Sequence, residues 1–132
     1  MFEVDDRLIP TGRTPVPAEL DFREPRPIGD AVLDHAFTDL AADGRWEVTL
    51  AAQDRQTVVW ADARAYPFVQ IFTGDTLPSG KARTSGVAVE PMTCPAGALS
   101  TGEHLIVLEP GQLWSAPWGI RPGQVGASPS GR

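Results

Sequence analysis

Cysteine and histidine are scarce in this sequence. Cys94 is the only cysteine, which excludes an internal disulfide and makes a reducing, cytoplasmic location the simpler expectation. His35 and His104 stand far from each other and from Cys94, and neither a CxxC nor an HExxH pattern occurs. Zinc sites need clustered ligands at restricted spacing. We therefore expect no metal, and we interpret Cys94 as a small packed side chain.

Long apolar runs and basic runs are also missing. No stretch approaches the roughly 20 apolar residues of a membrane-spanning helix. The opening MFEVDDRLIP carries acid and lacks the apolar region of a signal peptide. The basic residues are ten arginines and Lys81, the net charge is -6, and the pI is near 4.7. This balance argues against a nucleic-acid or anionic-membrane partner and predicts a soluble protein.

Two common catalytic motifs are absent. A phosphate-binding loop needs GxxxxGK followed by Ser or Thr. The interval from Gly74 to Gly80 is one residue too long, and Ala82 follows Lys81. No GxSxG nucleophile elbow occurs either. The sequence therefore predicts neither a nucleotide-dependent enzyme of the phosphate-loop class nor an elbow-type serine hydrolase.

Short strand-like segments between turn residues are what the sequence does contain. Proline and glycine, 13 of each, interrupt the chain every few residues. The segments rich in β-branched and aromatic residues are RWEVTLAAQ, TVVWADA, PFVQIFTG, SGVAVEP, HLIVLEPG and LWSAPWGI. With few helical patterns among them, they predict an all-β fold, an antiparallel β-sandwich.

Turn signals and the two chain ends complete this prediction. Asp43-Gly44 is a hairpin signal, a turn is expected at 10–12 after a first strand, and a turn or short helix is expected in IGDAVLD. The length suits one domain. We assign residues 1–121 to that domain and residues 122–132, where Val125 is the only large apolar side chain, to a flexible tail.

Three polar residues interrupt apolar strand-like segments: Asp34 in AVLDHAF, Gln70 in PFVQIFTGD and Glu90 in SGVAVEP. Burial of such groups costs several kcal/mol unless partners satisfy them. One interpretation is hydrogen bonding to neighbouring backbone or exposure on an outer sheet face. The other is a carbohydrate cleft, because sugar hydroxyls pair with carboxylates and amides.

Glu90 is the most suggestive of the three. Alternation along a strand places it on one face with Gly86 and Ala88, and places Val87 and Val89 on the other. The small residues predict a hollow beside the carboxylate. Aromatic rings that could line a sugar cleft, although core packing is the ordinary role of such rings, are Trp46, Trp60, Phe68, Phe72, Trp114 and Trp118.

Five segments in order resemble the C-terminal half of the aldose 1-epimerase (galactose mutarotase) family. They are DDRLIPTGRTPVPAELDFREPRPIG, LDHAFTDL, FVQIFTGD, VAVEPMTCP and LIVLEPGQLWSAPWGI. The match runs from about Val4 to Ile120. The resemblance implies part of a large antiparallel β-supersandwich, and an enzyme that interconverts the α and β anomers of free hexoses without a cofactor.

The resemblance also implies roles for the three polar residues. Glu90 matches the base that removes the proton from the anomeric hydroxyl. Asp34 and Gln70 match residues that bind the sugar, so the expected partner is a monosaccharide of the glucose or galactose type. The family's acid is a histidine upstream of the LDHAF motif, and no histidine precedes Asp34 here. We therefore expect a fragment or truncated product with little activity of its own.

Two alternatives to a hexose mutarotase stay open from the residues. One is an epimerase-like protein acting on hexose 6-phosphates or another sugar, for which Arg64 and Arg83 are the candidate phosphate ligands. The other is a non-catalytic carbohydrate-binding β-sandwich module. Half of a supersandwich would also expose strand edges, which predicts a missing N-terminal half as partner or self-association.

Overall fold

The computed structural model describes residues 1–40, 43–78 and 86–125. A short helix, α1 (Ala98–Thr101), and a 3-10 turn at Ala18–Leu20 accompany the strands. Every strand pairing in these residues is antiparallel, which confirms the all-β prediction. The strands are β1 (Phe2–Val4), β2 (Pro10–Arg13), β3 (Asp34–Phe37), β4 (Arg45–Ala52), β5 (Arg55–Asp62), β6 (Phe68–Phe72), β7 (Ala88–Met92) and β8 (Trp118–Gln124).

Two three-stranded sheets form the sandwich. The first sheet has the order β3-β6-β7 and the second sheet has the order β4-β5-β8, while β1 and β2 form a separate ribbon. The buried cluster between the two sheets is Trp46, Ala61, Tyr66 and Val69. Apolar residues at alternate positions of the strands in both sheets pack around this cluster. The residues that alternate with period two in the sequence therefore form the inner faces of the sandwich. These packing residues include Phe37, Val48, Val59, Ile71 and Val89.

The β4–β5 hairpin is the longest pairing, and it forms where the alternation is clearest. Its register joins Ala52 to Arg55, so Gln53 and Asp54 make a two-residue turn, and Gln53 takes the positive φ of 57° that such turns require. The prediction of a hairpin at Asp43-Gly44 is wrong. These residues join β3 to β4, which lie in different sheets, and Gly44 crosses between the sheets with a φ of 89°.

The first turn lies earlier than predicted. The Asp5 carboxylate accepts hydrogen bonds from the backbone N–H groups of Arg7 and Ile9, each at 2.9 Å. This local capping closes the turn between β1 and β2, so residues 10–12 belong to β2 instead of a turn. In IGDAVLD the chain makes a turn closed by the Ala31 N–H on the Ile28 carbonyl at 3.1 Å.

The segment HLIVLEPG is not a strand, which corrects the prediction. Val107 is 71% exposed and Leu108 is 51% exposed, and no strand of the described residues pairs with them. The strand expected in LWSAPWGI begins only at Trp118. Pro117 has no backbone N–H to give to a ladder, and its carbonyl instead accepts the Asp62 N–H at 3.2 Å.

The end of β8 falls inside the segment assigned to the tail. This strand continues to Gln124, which pairs with Arg55, so residues 122–124 are ordered by the second sheet. Pro122 is tolerated because β8 is an edge strand, where a missing donor can face outward. Val125 follows the strand and donates its N–H to the Asp54 carbonyl at 3.0 Å, and residues 126–132 of the predicted tail lie outside the described residues.

Candidate sugar site

The first sheet brings the three predicted site residues together. In its register Gln70 pairs with Glu90 on one side and with Ala36 on the other, and Asp34 pairs with Phe72. Asp34 and Gln70 share the sheet face that points away from the sandwich core, as does Glu90, because all three occupy the same alternate positions of neighbouring strands. Residues far apart in the sequence therefore form one polar patch on one face.

This patch forms one side of a cavity of about 300 Å³. The sheet supplies the floor with Asp34, Ala36, Gln70, Phe72, Glu90 and Met92. The β1–β2 ribbon and its turn supply a wall, together with Ala96; the wall residues of the ribbon are Phe2, Val4, Leu8 and Pro10. The size lies at the lower end of the range for small-molecule sites, and the mixture of apolar walls with a few polar groups is typical of them.

A hydrogen bond links two of the three residues. The Gln70 Nε2 donates to the Asp34 Oδ1 at 2.7 Å, and both side chains are half-buried. This contact fixes the amide and the carboxylate relative to each other on the cavity floor. Glu90 has no hydrogen-bond or ion-pair partner among the described residues, and its side chain is exposed to the cavity and to solvent. The floor therefore combines a fixed polar pair with a carboxylate that is available for a ligand.

The surroundings of Glu90 differ from the predicted hollow. Gly86 precedes β7, takes a φ of 110°, and has open space where a side chain would be. Neither Gly86 nor Ala88 lines the cavity; the neighbours of Glu90 there are Gln70 and Met92. The pattern identified the correct face, but the open volume lies across the sheet, toward β6. Glu90 itself faces solvent as well as the cavity.

Neither histidine lines this cavity. His35 follows Asp34 in β3, so its side chain lies on the opposite face of the sheet. Its Nδ1 accepts a hydrogen bond from the Asp34 backbone N–H at 3.1 Å. His104 packs edge-on against Phe68, with ring centroids 5.1 Å apart, and lines a separate cleft of about 230 Å³. The only titratable side chains on the cavity surface formed by the described residues are Asp34 and Glu90.

Of the six aromatic rings considered for a sugar cleft, only Phe72 lines the cavity. Trp46 is 6% exposed and its Nε1 donates to the Tyr66 carbonyl at 2.8 Å, so it belongs to the core. Trp118 is 52% exposed, on the second sheet. Phe68 is 1% exposed beneath Phe2, with ring centroids 5.7 Å apart. The apolar surface available to a sugar is therefore smaller than the sequence suggested.

The wall residues were missed by sequence reasoning. Phe2 and Val4 show strand-like alternation with Glu3, which is a usable signal for a buried face. That local alternation does not predict that the face of Phe2 and Val4 packs over β6. Met92 was also missed, although it follows Glu90 at the same alternation and stands opposite Phe68 in the register.

Other features of the described residues do not mark a second chemistry. No cluster of three or more His, Cys, Asp or Glu residues among them could hold a metal ion, and none of their helices is long and apolar enough to cross a membrane. Arg23 donates hydrogen bonds to the Asp21 carboxylate and lowers the pKa of that group to about 2. Asp21 does not line the cavity; it belongs to a surface ion pair with Arg23.

Comparison with known proteins identifies the relatives of this chain. The family model described as aldose 1-epimerase matches residues 1–121. A curated protein of Escherichia coli strain K12, named as uncharacterized protein YihR, is 30% identical over 113 residues. The aligned region covers 85% of this chain and 34% of YihR, so the chain spans about a third of that relative's length. No solved structure matches.

Proposed function

The chain belongs to the aldose 1-epimerase family, and we propose that it carries the sugar-binding and proton-abstracting side of an aldose 1-epimerase site. In this proposal Glu90 is the base, and Asp34 and Gln70 hold the sugar. The substrate is a free hexose of the glucose or galactose type. The observation that carries the proposal is the convergence of these three residues on one cavity floor, with Gln70 bonded to Asp34 and directly opposite Glu90.

The chemistry needs a base and an acid on opposite sides of one ring. Glu90 takes the proton of the C1 hydroxyl, the C1–O5 bond breaks as the C1 carbonyl forms, and O5 takes up a proton. Rotation about C1–C2 followed by ring closure gives either anomer, and the reverse proton transfers restore Glu90. Glu90 is exposed and has no ion-pair partner within 1–40, 43–78 and 86–125, so no ion pair of these residues must be broken before it accepts the proton.

Asp34 and Gln70 orient the ring for that transfer. Asp34 uses one carboxylate oxygen for Gln70, which leaves the other for a sugar hydroxyl donor. Gln70 lies between Asp34 and Glu90 in the sheet, so a hydroxyl held by its amide lies within reach of the base. Phe72 supplies the apolar surface for one ring face.

The acid that protonates O5 is the missing half of this scheme. The described cavity surface offers no group for the task other than the two carboxylates already assigned. Since general acid catalysis contributes roughly 10²–10⁴-fold, the chain by itself should accelerate mutarotation only slightly over buffer.

Binding and turnover should be tested separately on the 132-residue chain. Titration of ¹⁵N-labelled protein with glucose and galactose should move the Gln70 side-chain amide and the backbone signals of β3, β6 and β7. Polarimetry on fresh α-glucose and α-galactose should show a small acceleration that Glu90→Gln removes. The matched control is Glu47→Gln, on the outward face of the second sheet, which should leave both measurements unchanged.

Three outcomes would contradict the proposal or narrow it. Failure of both sugars to perturb the cavity residues would remove the sugar site. Acceleration that survives Glu90→Gln would exclude Glu90 as the base. Strong acceleration that Glu90→Gln abolishes would keep the base but show that an acid is present after all.

A non-catalytic carbohydrate-binding module is the second candidate. The observation in its favour is that neither histidine lines the cavity. Sugar binding with no turnover at all would support it. The hexose 6-phosphate alternative has less support, because Arg64 does not line the cavity. Arg83, the other arginine considered for a phosphate, lies outside the described residues.

A further inference from the structure

The FTGD motif contains a buried hydroxyl that the site chemistry leaves unexplained. Thr73, the residue after β6, is 2% exposed and is the buried polar residue of the described chain. Its Oγ1 accepts the Leu33 backbone N–H at 3.0 Å, and the Thr73 N–H donates to the Leu33 carbonyl at 2.9 Å. Leu33 directly precedes Asp34, so both bonds act on the backbone next to a proposed sugar ligand.

The hydroxyl replaces a backbone carbonyl in the ladder. In an antiparallel pair, alternate opposing residues exchange two N–H···O bonds. The register that pairs Asp34 with Phe72 makes Leu33 and Thr73 the next opposing residues. The chain leaves the strand at Gly74, whose φ is 80°. The Leu33 N–H is therefore accepted by the Thr73 side-chain hydroxyl instead of the Thr73 backbone carbonyl. The side chain therefore extends the β3–β6 pairing by one residue.

Asp75 sets the direction of this hydroxyl. Thr73 Oγ1 lies within hydrogen-bond reach of both the Asp75 carboxylate and, at 3.2 Å, the Leu33 carbonyl. A hydroxyl has one proton, and a charged carboxylate is the stronger acceptor, while the Leu33 carbonyl is already occupied by the Thr73 N–H. The proton therefore goes to Asp75, and an oxygen lone pair faces the Leu33 N–H.

We propose that Thr73, oriented by Asp75, is a positioning residue that fixes Asp34 and, through it, Gln70 on the cavity floor. Without the hydroxyl, the Leu33 N–H would be buried and unsatisfied, and the start of β3 would shift to find a partner. Asp34 is the first residue of that strand and accepts the Gln70 amide at 2.7 Å. The expected effect on sugar binding rests on the proposed function. The expected effect on the position of the Gln70 side chain rests on the structure alone.

The test compares Thr73→Val, which keeps the shape and removes the hydroxyl, with Thr73→Ser, which keeps the hydroxyl. In sugar-free ¹⁵N spectra, the Gln70 side-chain amide signals should move in Thr73→Val and return toward their original positions in Thr73→Ser. Affinity for the better-binding hexose should fall about tenfold in Thr73→Val and recover in Thr73→Ser, as expected for one unsatisfied buried group.

Val69→Ala is the control for lost stability. Val69 is buried in the core on the opposite face of β6, so this variant lowers the melting temperature without touching the Leu33–Thr73 link. It should keep the Gln70 signals and the sugar affinity. If Thr73→Val does not fold, Thr73→Ala takes its place, because it removes the same hydroxyl acceptor of the Leu33 N–H without placing a branched apolar side chain there, and it should give the same shifts.

The two proposals fail in different ways. Unchanged Gln70 signals in the hydroxyl-free variant would overturn the positioning role, whatever the sugar result. Unchanged sugar affinity beside moved Gln70 signals would overturn its functional consequence. If the unaltered chain binds neither sugar, the proposed function fails, and the Gln70 signals alone decide the positioning role.

Discussion

The two sheets of the sandwich use their outward faces in opposite ways. Each has a glutamate on an edge strand: Glu47 on β4 of the second sheet and Glu90 on β7 of the first. Glu47 is held by Arg45 at 3.1 Å and Arg121 at 3.2 Å, whereas Glu90 has no such partner among the described residues. The same residue type in the same strand context is a surface ion-pair member in one sheet and an unpaired cavity carboxylate in the other.

The neighbours across the strands explain this difference. Trp60 pairs with Glu47, and the Arg45 guanidinium covers the Trp60 ring at 5.0 Å from the ring centroid. On the other side of Trp60, its partner Gly119 has no side chain and leaves room for the ring. Opposite Glu90 stands the neutral Gln70. Arginines cover the outward face of the second sheet and pair with its glutamate, whereas the described residues of the first sheet place a neutral amide and no cation beside Glu90, so its carboxylate is available for a ligand.

The largest expected effect comes from breaking the core that both sheets share. Trp46→Ala removes a nearly buried ring and leaves the Tyr66 carbonyl without its indole donor. The free energy of unfolding should fall by about 3–5 kcal/mol. Trp118→Ala, at a 52% exposed site, is the matched control and should cost under about 1 kcal/mol. Urea denaturation followed by circular dichroism measures both; equal losses would mean that Trp46 does not join the sheets.

A smaller effect is expected on the outward face of the second sheet. A Cβ atom at Gly119 would lie 2.9 Å from the Trp60 ring, so Gly119→Ala must displace that ring. The free energy of unfolding should fall by about 1–3 kcal/mol. Gly123→Ala, in the same strand, meets Gln56 at an ordinary 3.5 Å and should stay within about 0.5 kcal/mol. Thermal melts of the two variants measure this difference. A lower melting temperature for Gly123→Ala than for Gly119→Ala would contradict the prediction.

The smallest effect separates the two glutamates. Glu47→Gln loses two surface ion pairs and should lower the free energy of unfolding by less than about 1 kcal/mol, with the difference shrinking in high salt. Glu90→Gln should leave stability within about 0.5 kcal/mol at any salt concentration, because Glu90 has no hydrogen-bond or ion-pair partner in the part of the chain that the structure describes. Denaturant midpoints at low and high salt check this. A salt-sensitive loss at Glu90 would show that it does have a cationic partner.

Local alternation predicted the face that each polar residue occupies on its own strand, and the family resemblance predicted that the three lie together. Alternation in β6 predicted the face of Gln70, and the resemblance of the LDHAF and VAVEP segments connected Asp34 and Glu90 to it. The all-β sandwich and family membership are confirmed. The roles of the three residues stay predictions, which the sugar titration and the polarimetry test.

What could not be predicted depends on contacts between distant parts of the chain. The hollow beside Glu90 was placed toward Gly86, because alternation identifies a face but not which neighbouring strand borders it. The wall formed by Phe2 comes from a ribbon whose docking on β6 has no local signal. HLIVLEPG had the composition of a strand, yet composition supplies no partner for its backbone.

The placement of the tryptophans determines which optical signals are useful. None of the four lines the cavity, and Trp46 lies between the sheets. Intrinsic fluorescence will therefore follow unfolding of the sandwich and remain nearly silent to ligand binding. Phe72 and Phe2 are the rings that a bound sugar would touch. Fluorine-labelled phenylalanine would turn them into direct reporters of occupancy, read independently of the fluorescence that monitors folding.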